Sequence, residues 1–169
     1  MRSDEDDPVD RFRAGWRRVL PDLDTTPMAV LGRIYRIAQL TAAPITAKLE
    51  SFGLHRGEFD VLGTLLRAGP PHRLTPTELY RSLMISSGGL TDRLQRLADA
   101  GLVERVPAEE DGRSLLVQLT PAGRAKAEAA FRADMAFEAE LLADLSVDDR
   151  RRLASLLGRL SRGVTRRLR

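Results

Sequence analysis

His72-Arg-Leu-Thr-Pro-Thr-Glu-Leu-Tyr-Arg-Ser-Leu-Met-Ile-Ser-Ser-Gly-Gly-Leu-Thr-Asp-Arg-Leu-Gln-Arg-Leu-Ala-Asp-Ala-Gly-Leu-Val-Glu-Arg105, then a turn, then Ser114-Leu-Leu-Val-Gln-Leu-Thr120, reads as a short helix, a second helix and a two-stranded ribbon. Thr75-Pro76-Thr77-Glu78 supplies an N-cap, a proline at the first helical position and a glutamate at the third. That helix is expected to reach Ser82. The second is expected from Ser86, whose hydroxyl can cap it, and Gly101 stops it. Leu90, Leu94 and Leu97 recur at helical spacing and form one stripe, with Gly88, Thr91, Asp92, Gln95 and Arg96 on the other side. Glycine inside a helix costs about 1 kcal/mol relative to alanine, so Gly88 and Gly89 at its start imply either close approach of another backbone or a loosely wound first turn.

Two short helices joined by a tight turn form a helix-turn-helix, whose second helix can enter the major groove. The ribbon specifies the variant. Leu102-Val-Glu-Arg-Val106 and Ser114-Leu-Leu-Val-Gln-Leu119 flank Pro107-Ala-Glu-Glu-Asp-Gly-Arg113, with Asp111-Gly112 as turn signal. Arg113 at the tip can reach phosphate or the minor groove. The fold class expected is mainly α with a small β-wing: a winged helix-turn-helix flanked by N- and C-terminal dimerisation helices.

Asp111-Gly112-Arg113 with Leu119-Thr120-Pro121-Ala122-Gly123, and Leu94-Gln-Arg-Leu-Ala-Asp-Ala-Gly-Leu-Val-Glu-Arg105, resemble the corresponding segments of MarR-type bacterial transcription regulators. The resemblance covers nearly the whole chain. The segment Leu74 to Thr91 resembles the PecS-like, urate-responsive branch.

For DNA contact, the residues single out Ser86, Ser87, Gly88, Thr91 and Arg96 at the recognition helix. Arg73, Thr75 and Thr77 are expected as phosphate clamps and Arg113 as the wing tip. Gln95 can read adenine, because its amide both donates and accepts. Asp111 is expected to orient Arg113 through a charge-assisted bond. Each serine or threonine can equally be a helix cap, and the two roles are compatible. For the effector, the resemblance implies urate or a related purine held by Trp16, Asp60, Arg93 and Arg105, with Trp16 stacking on the ligand. The residues alone read Trp16 as a packing anchor, Asp60 as a solvated carboxylate and the two arginines as members of ordinary ion pairs. On the same projection Arg93 lies about 70° from the leucine stripe, so it can reach inward while its helix touches DNA.

Composition bounds these readings. The 169 residues carry a net charge of +3, and the pI of 9.9 reflects arginine, since Lys48 and Lys126 are the only lysines. Between 71 and 119, Arg73, Arg81, Arg93, Arg96, Arg105 and Arg113 are matched by Glu78, Asp92, Asp99, Glu104, Glu109, Glu110 and Asp111. DNA binding must therefore rest on where the arginines sit rather than on a basic field. The absence of cysteine excludes disulfides and thiol sensing. His55 and His72 are too few for a zinc-sensor site, and no metal or cofactor is expected. No run approaches the roughly 20 apolar residues of a membrane span, and Met1-Arg-Ser-Asp-Glu-Asp-Asp7 lacks a signal peptide's basic and apolar regions. A cytoplasmic protein is expected.

Along the chain, residues 1–7 are expected to be frayed. Residues 8–53 are expected to form N-terminal helices serving as effector lid and dimer contacts. One runs from Val9 to Leu20 with Phe12, Trp16, Val19 and Leu20 at helical spacing. A longer one starts at Thr26-Pro27, carries Leu31, Ile34, Ala38 and Leu49, is interrupted by Pro44 and ends near Phe52. Residues 54–120 form the DNA-binding core, opening with a helix over 56–68 that buries Phe59, Leu62, Leu65 and Leu66. Residues 121–169 form two dimerisation helices. The first reaches about Ala143, with Ala127, Phe131, Met135 and Leu142 available for packing. The second is capped by Ser146-Val-Asp-Asp149 and carries a stripe of Leu153, Leu156, Leu157, Leu160 and Val164. A homodimer follows, because paired recognition helices about 34 Å apart read a palindromic operator.

No nucleophile motif, phosphate loop or zinc-protease spacing points to an enzyme. The function read here is a sequence-specific DNA-binding regulator, a repressor released from its operator by a small anionic effector. The alternatives are a MarR-type regulator answering to phenolic or aromatic acids and a ligand-independent architectural DNA-binding protein. The added N-terminal helix speaks against the latter, since DNA contact does not need it.

Overall fold

The computed structural model describes residues 7–83, 89–108 and 115–168. Its elements are α1 (Pro8–Val19), α2 (Thr26–Glu50), α3 (Arg56–Arg67), β1 (Arg73–Leu74), α4 (Pro76–Ser82), α5 (Leu90–Asp99), β2 (Val103–Pro107), β3 (Leu115–Leu119), α6 (Pro121–Leu141) and α7 (Val147–Arg167). The expected class, mainly helical with a small β-wing, is the one found. The chain divides into two compact units, Met1–Ser51 and Phe52–Arg169.

In the first unit, α1 packs on the start of α2 through its polar side and one valine. Val9 is buried, and a methyl added at Gly32 would lie 3.4 Å from a Val9 methyl. Arg33 of α2 pairs with Asp7 at 2.7 Å and also with Asp10. Asp7 also accepts the Val9 N–H at 3.0 Å. That bond, with Arg33 second among the lowering causes, outweighs the opposing effect of burial and holds the Asp7 carboxyl below its ordinary pKa. Arg13 donates to the Thr25 carbonyl at 3.2 Å. The expected cap of α2 at Thr26 is one residue off: Thr25 is the N-cap, and Asp24 accepts the Thr26 N–H at 2.8 Å. The helix contains Pro44 and stops at Glu50. Of its expected stripe only Leu49 is buried, while Leu31 and Ile34 are exposed.

The second unit is built on α3, which packs against α4, α5, α6 and β3. Covered from so many sides, it buries Val61 as completely as the expected Leu62 and Leu65, although Val61 falls outside the stripe read from sequence. Phe59 stacks on Phe131 of α6, ring centroids 6.5 Å apart and planes 16° apart. The capping box of α4 is formed: the Glu78 N–H donates to Thr75 Oγ1 at 3.1 Å, and the Thr75 N–H to Glu78 Oε2 at 2.9 Å. The expected cap at Ser86 lies outside the described residues. Gly89 has φ +72°, a left-handed conformation that cannot belong to the helix, and α5 begins at Leu90. At its other end Gly101 takes φ +67°, and the Leu102 N–H returns to the Leu97 carbonyl at 2.9 Å.

The ribbon of β2 and β3 is part of a three-stranded antiparallel sheet in the order β1-β3-β2, with β3 in the centre. Arg105 pairs with Val117 in one ladder, and Arg73 with Gln118 in the other. The third strand, Arg73–Leu74, is missing from the expected architecture, because two residues are too few for alternation to register. The Leu119-Thr120-Pro121-Ala122-Gly123 motif ties the sheet to α6. Thr120 Oγ1 donates to the Gly101 carbonyl at 2.8 Å and accepts the Gly123 N–H at 2.9 Å. Gly123 lies so close to Leu102 that a methyl there would overlap its carbonyl oxygen.

Along α6 the buried positions are Gly123, Ala127, Ala130 and Asp134; Phe131, Met135 and, just beyond the helix, Leu142 remain exposed rather than packed away. Ser146 caps α7 by accepting the Asp149 N–H at 3.2 Å. The α7 residues Leu153, Leu156, Leu157 and Val164 are all exposed.

Candidate functional site

The α4–α5 pair presents its outer face as expected. Leu79, Leu94 and Leu97 are buried against the core and Leu90 is half-buried, while Thr91, Asp92 and Gln95 face out; Arg96, expected on that face, is exposed but reaches back to α3. Gln95 Nε2 donates to Asp99 Oδ1 at 2.8 Å, one turn along. Pro76, Thr77 and Tyr80 of α4, with Gly89, Leu90, Thr91 and Asp92, line an open groove of about 510 Å³. Thr77 is exposed, Arg73 is half-buried in β1, and Thr75 commits its hydroxyl to the α4 cap. Ser86, Ser87, Gly88, Asp111 and Arg113 lie outside the described residues.

The inner flank of α5 leads to the first turn of α3. Arg93 is half-buried, and its guanidinium lies over Gly57: a methyl built there would sit 2.6 Å from Arg93 Cζ. Three residues on, Arg96 Nε donates to Glu58 Oε1 at 2.7 Å. The second oxygen of that carboxylate accepts the His55 N–H at 2.9 Å, closing the N-terminus of α3. Burial of Glu58 pushes its pKa up. The hydrogen bonds from Arg96 and the His55 amide, together with the charges of both residues, more than offset this, so the carboxyl titrates below its ordinary value.

Asp60 follows Gly57 by three positions on the same face of α3. It is half-buried rather than solvated, and lines a small, mostly apolar cavity of about 160 Å³ with Phe59, Gly63, Leu66, Arg67 and Phe131. Arg93 and Asp60 are thus brought to neighbouring turns of one helix. Arg105 stands exposed in the middle of β2. Trp16 belongs to the first unit, where it is 45% exposed in an open groove with Arg11, Phe12, Gly15, Arg18 and Val19. It does not anchor α1; Val9 does, because the Asp7, Asp10 and Arg13 contacts turn α1's polar side toward α2.

Sequence reasoning missed Glu58 and Gly57. His55-Arg-Gly-Glu58 carries half a signal, a glutamate three residues after the N-cap. Its second use as partner of Arg96, 38 positions away, has no local signature.

Comparison with known proteins places this arrangement. A model of the MarR family matches residues 52–114. The HTH-type transcriptional regulator PecS of Dickeya dadantii is 36% identical over 147 residues, spanning 87% of this chain and 89% of that protein. The chain belongs to the MarR family. The multiple antibiotic resistance protein MarR of Salmonella typhimurium is 34% identical over 132 residues, 77% of this chain and 90% of its own. Among solved structures, a cysteine-to-serine mutant of MarR from E. coli complexed with operator DNA superposes with a TM-score of 0.64 at 28% identity, covering 86% of this chain and 96% of that one. A probable transcriptional regulator from Pseudomonas aeruginosa gives a TM-score of 0.64 at 32% identity, covering 78% and 96%. This MarR-family chain is a DNA-binding transcription regulator, not an enzyme. Among the described residues no helix is long and apolar enough to cross a membrane.

Proposed function

We propose that this regulator is a cytoplasmic homodimeric repressor that leaves a palindromic operator when urate or a related anionic purine binds. The 36% identity to PecS over most of both chains favours that branch, and the match to a repressor of Mycobacterium tuberculosis at 32% identity over 137 residues favours repression. Exposed leucines along α7, with Val30, Leu31, Ile34, Ile37 and Leu40 along α2, supply apolar surface of the kind a second copy covers. On the DNA side, Thr91, Gln95 and the Ser86-Ser87-Gly88 segment read bases. Arg73, Thr75 and Thr77 position phosphates, and Arg113, oriented by Asp111, serves the wing.

One observation carries the effector reading: Arg93 sits on the recognition helix, yet its guanidinium lies over α3 at Gly57, on the turn that precedes Asp60. An anion recruited to Arg93 must be accommodated beside a carboxylate, so it competes for the contact that seats the helix. Arg105 supplies further positive charge and Trp16 an aromatic face. The ligand can lower DNA affinity only by its preference for the released state, typically 1–3 kcal/mol or about 5–150-fold. The test is a titration of urate into the protein bound to an operator duplex, followed by fluorescence anisotropy. Release at micromolar to millimolar urate is expected, with the response lost in Arg93→Ala and weakened in Trp16→Ala. Unchanged DNA binding at millimolar urate removes urate as effector, and normal responses in both variants remove the site.

A further inference from the structure

We infer that Glu58 and Arg96 form a positioning pair that seats the recognition helix on α3, and that Arg96 serves DNA binding through this carboxylate rather than by touching phosphate or base. The inference rests on the reading of α5 as the DNA-reading helix. Arg96 is 53% exposed as a side chain, which alone would favour a phosphate contact, but Glu58 is only 8% exposed and holds the Arg96 Nε–H at 2.7 Å. Glu58 is also held from a second side, since its other oxygen closes the first turn of α3 through the His55 amide at 2.9 Å. The first turn of α3 runs directly into the core through Phe59, Val61 and Leu62. A buried carboxylate with both oxygens engaged is a fixed reference point, and Arg96 transmits that point to α5.

Gly57 completes the seat. The absence of a side chain there leaves the space that Arg93 fills, so two arginines one turn apart on α5 grip two consecutive residues of α3. Removing Arg96 leaves the buried Glu58 carboxylate without its guanidinium partner, and removing either partner frees the helix that must match the groove. Loss of either partner should therefore weaken operator binding without removing a phosphate contact.

The experiment measures binding to an operator duplex selected by the wild-type protein from random sequence, at several salt concentrations. The variants are Glu58→Gln, Arg96→Met and the double variant, with thermal melts alongside. Each single variant should lose about tenfold in affinity and the double variant little more, because both remove one interaction. The slope of log affinity against log salt should stay unchanged in all three, since each phosphate contact contributes roughly 0.9 to that slope. Should Glu58→Gln fail to fold, Arg96→Met decides the matter alone through its affinity and slope. A slope reduced by about one in Arg96→Met, or full affinity in a folded Glu58→Gln, overturns the inference and leaves α5 as the reading helix. A combined Thr91→Ala, Gln95→Ala variant with wild-type operator preference overturns the reading of α5 itself, and the inference with it.

Discussion

Helices α3 and α7 carry the same kind of sequence signal, leucines recurring at helical spacing, and meet opposite fates. In α3, Val61, Leu62 and Leu65 are fully buried, whereas in α7 Leu156 is 58% exposed and Leu153 41%. Periodicity states only that one face avoids water. It does not say whether that face is covered from within the chain or by a second copy. The α3 stripe is satisfied internally because four elements converge on it. The α7 leucines are left exposed by this chain, and the homodimer proposal depends on that contrast.

Substitutions can break the contrast from either side. The largest effect is expected for Leu62→Ala, which leaves a cavity with no solvent access and should cost about 2–5 kcal/mol. The melt should fall by the same amount at every protein concentration. Leu156→Glu should leave the fold of the second unit intact but shift the protein toward monomer in analytical ultracentrifugation, with at least tenfold weaker operator binding. A wild-type protein that sediments as a monomer, or a Leu156→Glu variant that remains dimeric, would remove α7 from the seam. Smaller still is the acid response of the α3 start. Because the Glu58 pKa is lowered in the folded state, its contribution is fully present above the ordinary value of about 4.3. It is lost as pH falls through the depressed value. Stability measured by denaturant titration between pH 5 and 3 should decline less steeply in Glu58→Gln than in wild type; equal slopes would mean that Glu58 is no better held in the folded protein than in the unfolded chain.

The two arginines of α5 make the same point at closer range. Arg93 and Arg96 are alike in the sequence, and projection separates them only by angle. The structure lays one over Gly57 and bonds the other to Glu58. Gly57→Ala sharpens this difference: the added methyl would displace the flexible end of Arg93 while leaving the Glu58–Arg96 bond in place. Stability should change little, while the urate response proposed for Arg93 should weaken. A variant with wild-type response would show that Arg93 need not lie over α3.

Much of the fold was legible in residues 72–123, because its signals are local. A cap and a glutamate lie three residues apart at Thr75 and Glu78, a stop glycine stands at Gly101, and Thr120 and Gly123 serve a turn that needs them. Local chemistry likewise placed α7 and its cap at Ser146. What no window of sequence contained was the use made of each face: the burial of Val61 on the far side of α3, the exposure of Trp16, the short strand Arg73–Leu74, and the second role of Glu58. Hydrogen-bonded caps are closed by neighbours in the chain, so the residues announce them. Burial, and a pair such as Glu58 with Arg96, depend on which distant surfaces converge, and only the folded chain settles that.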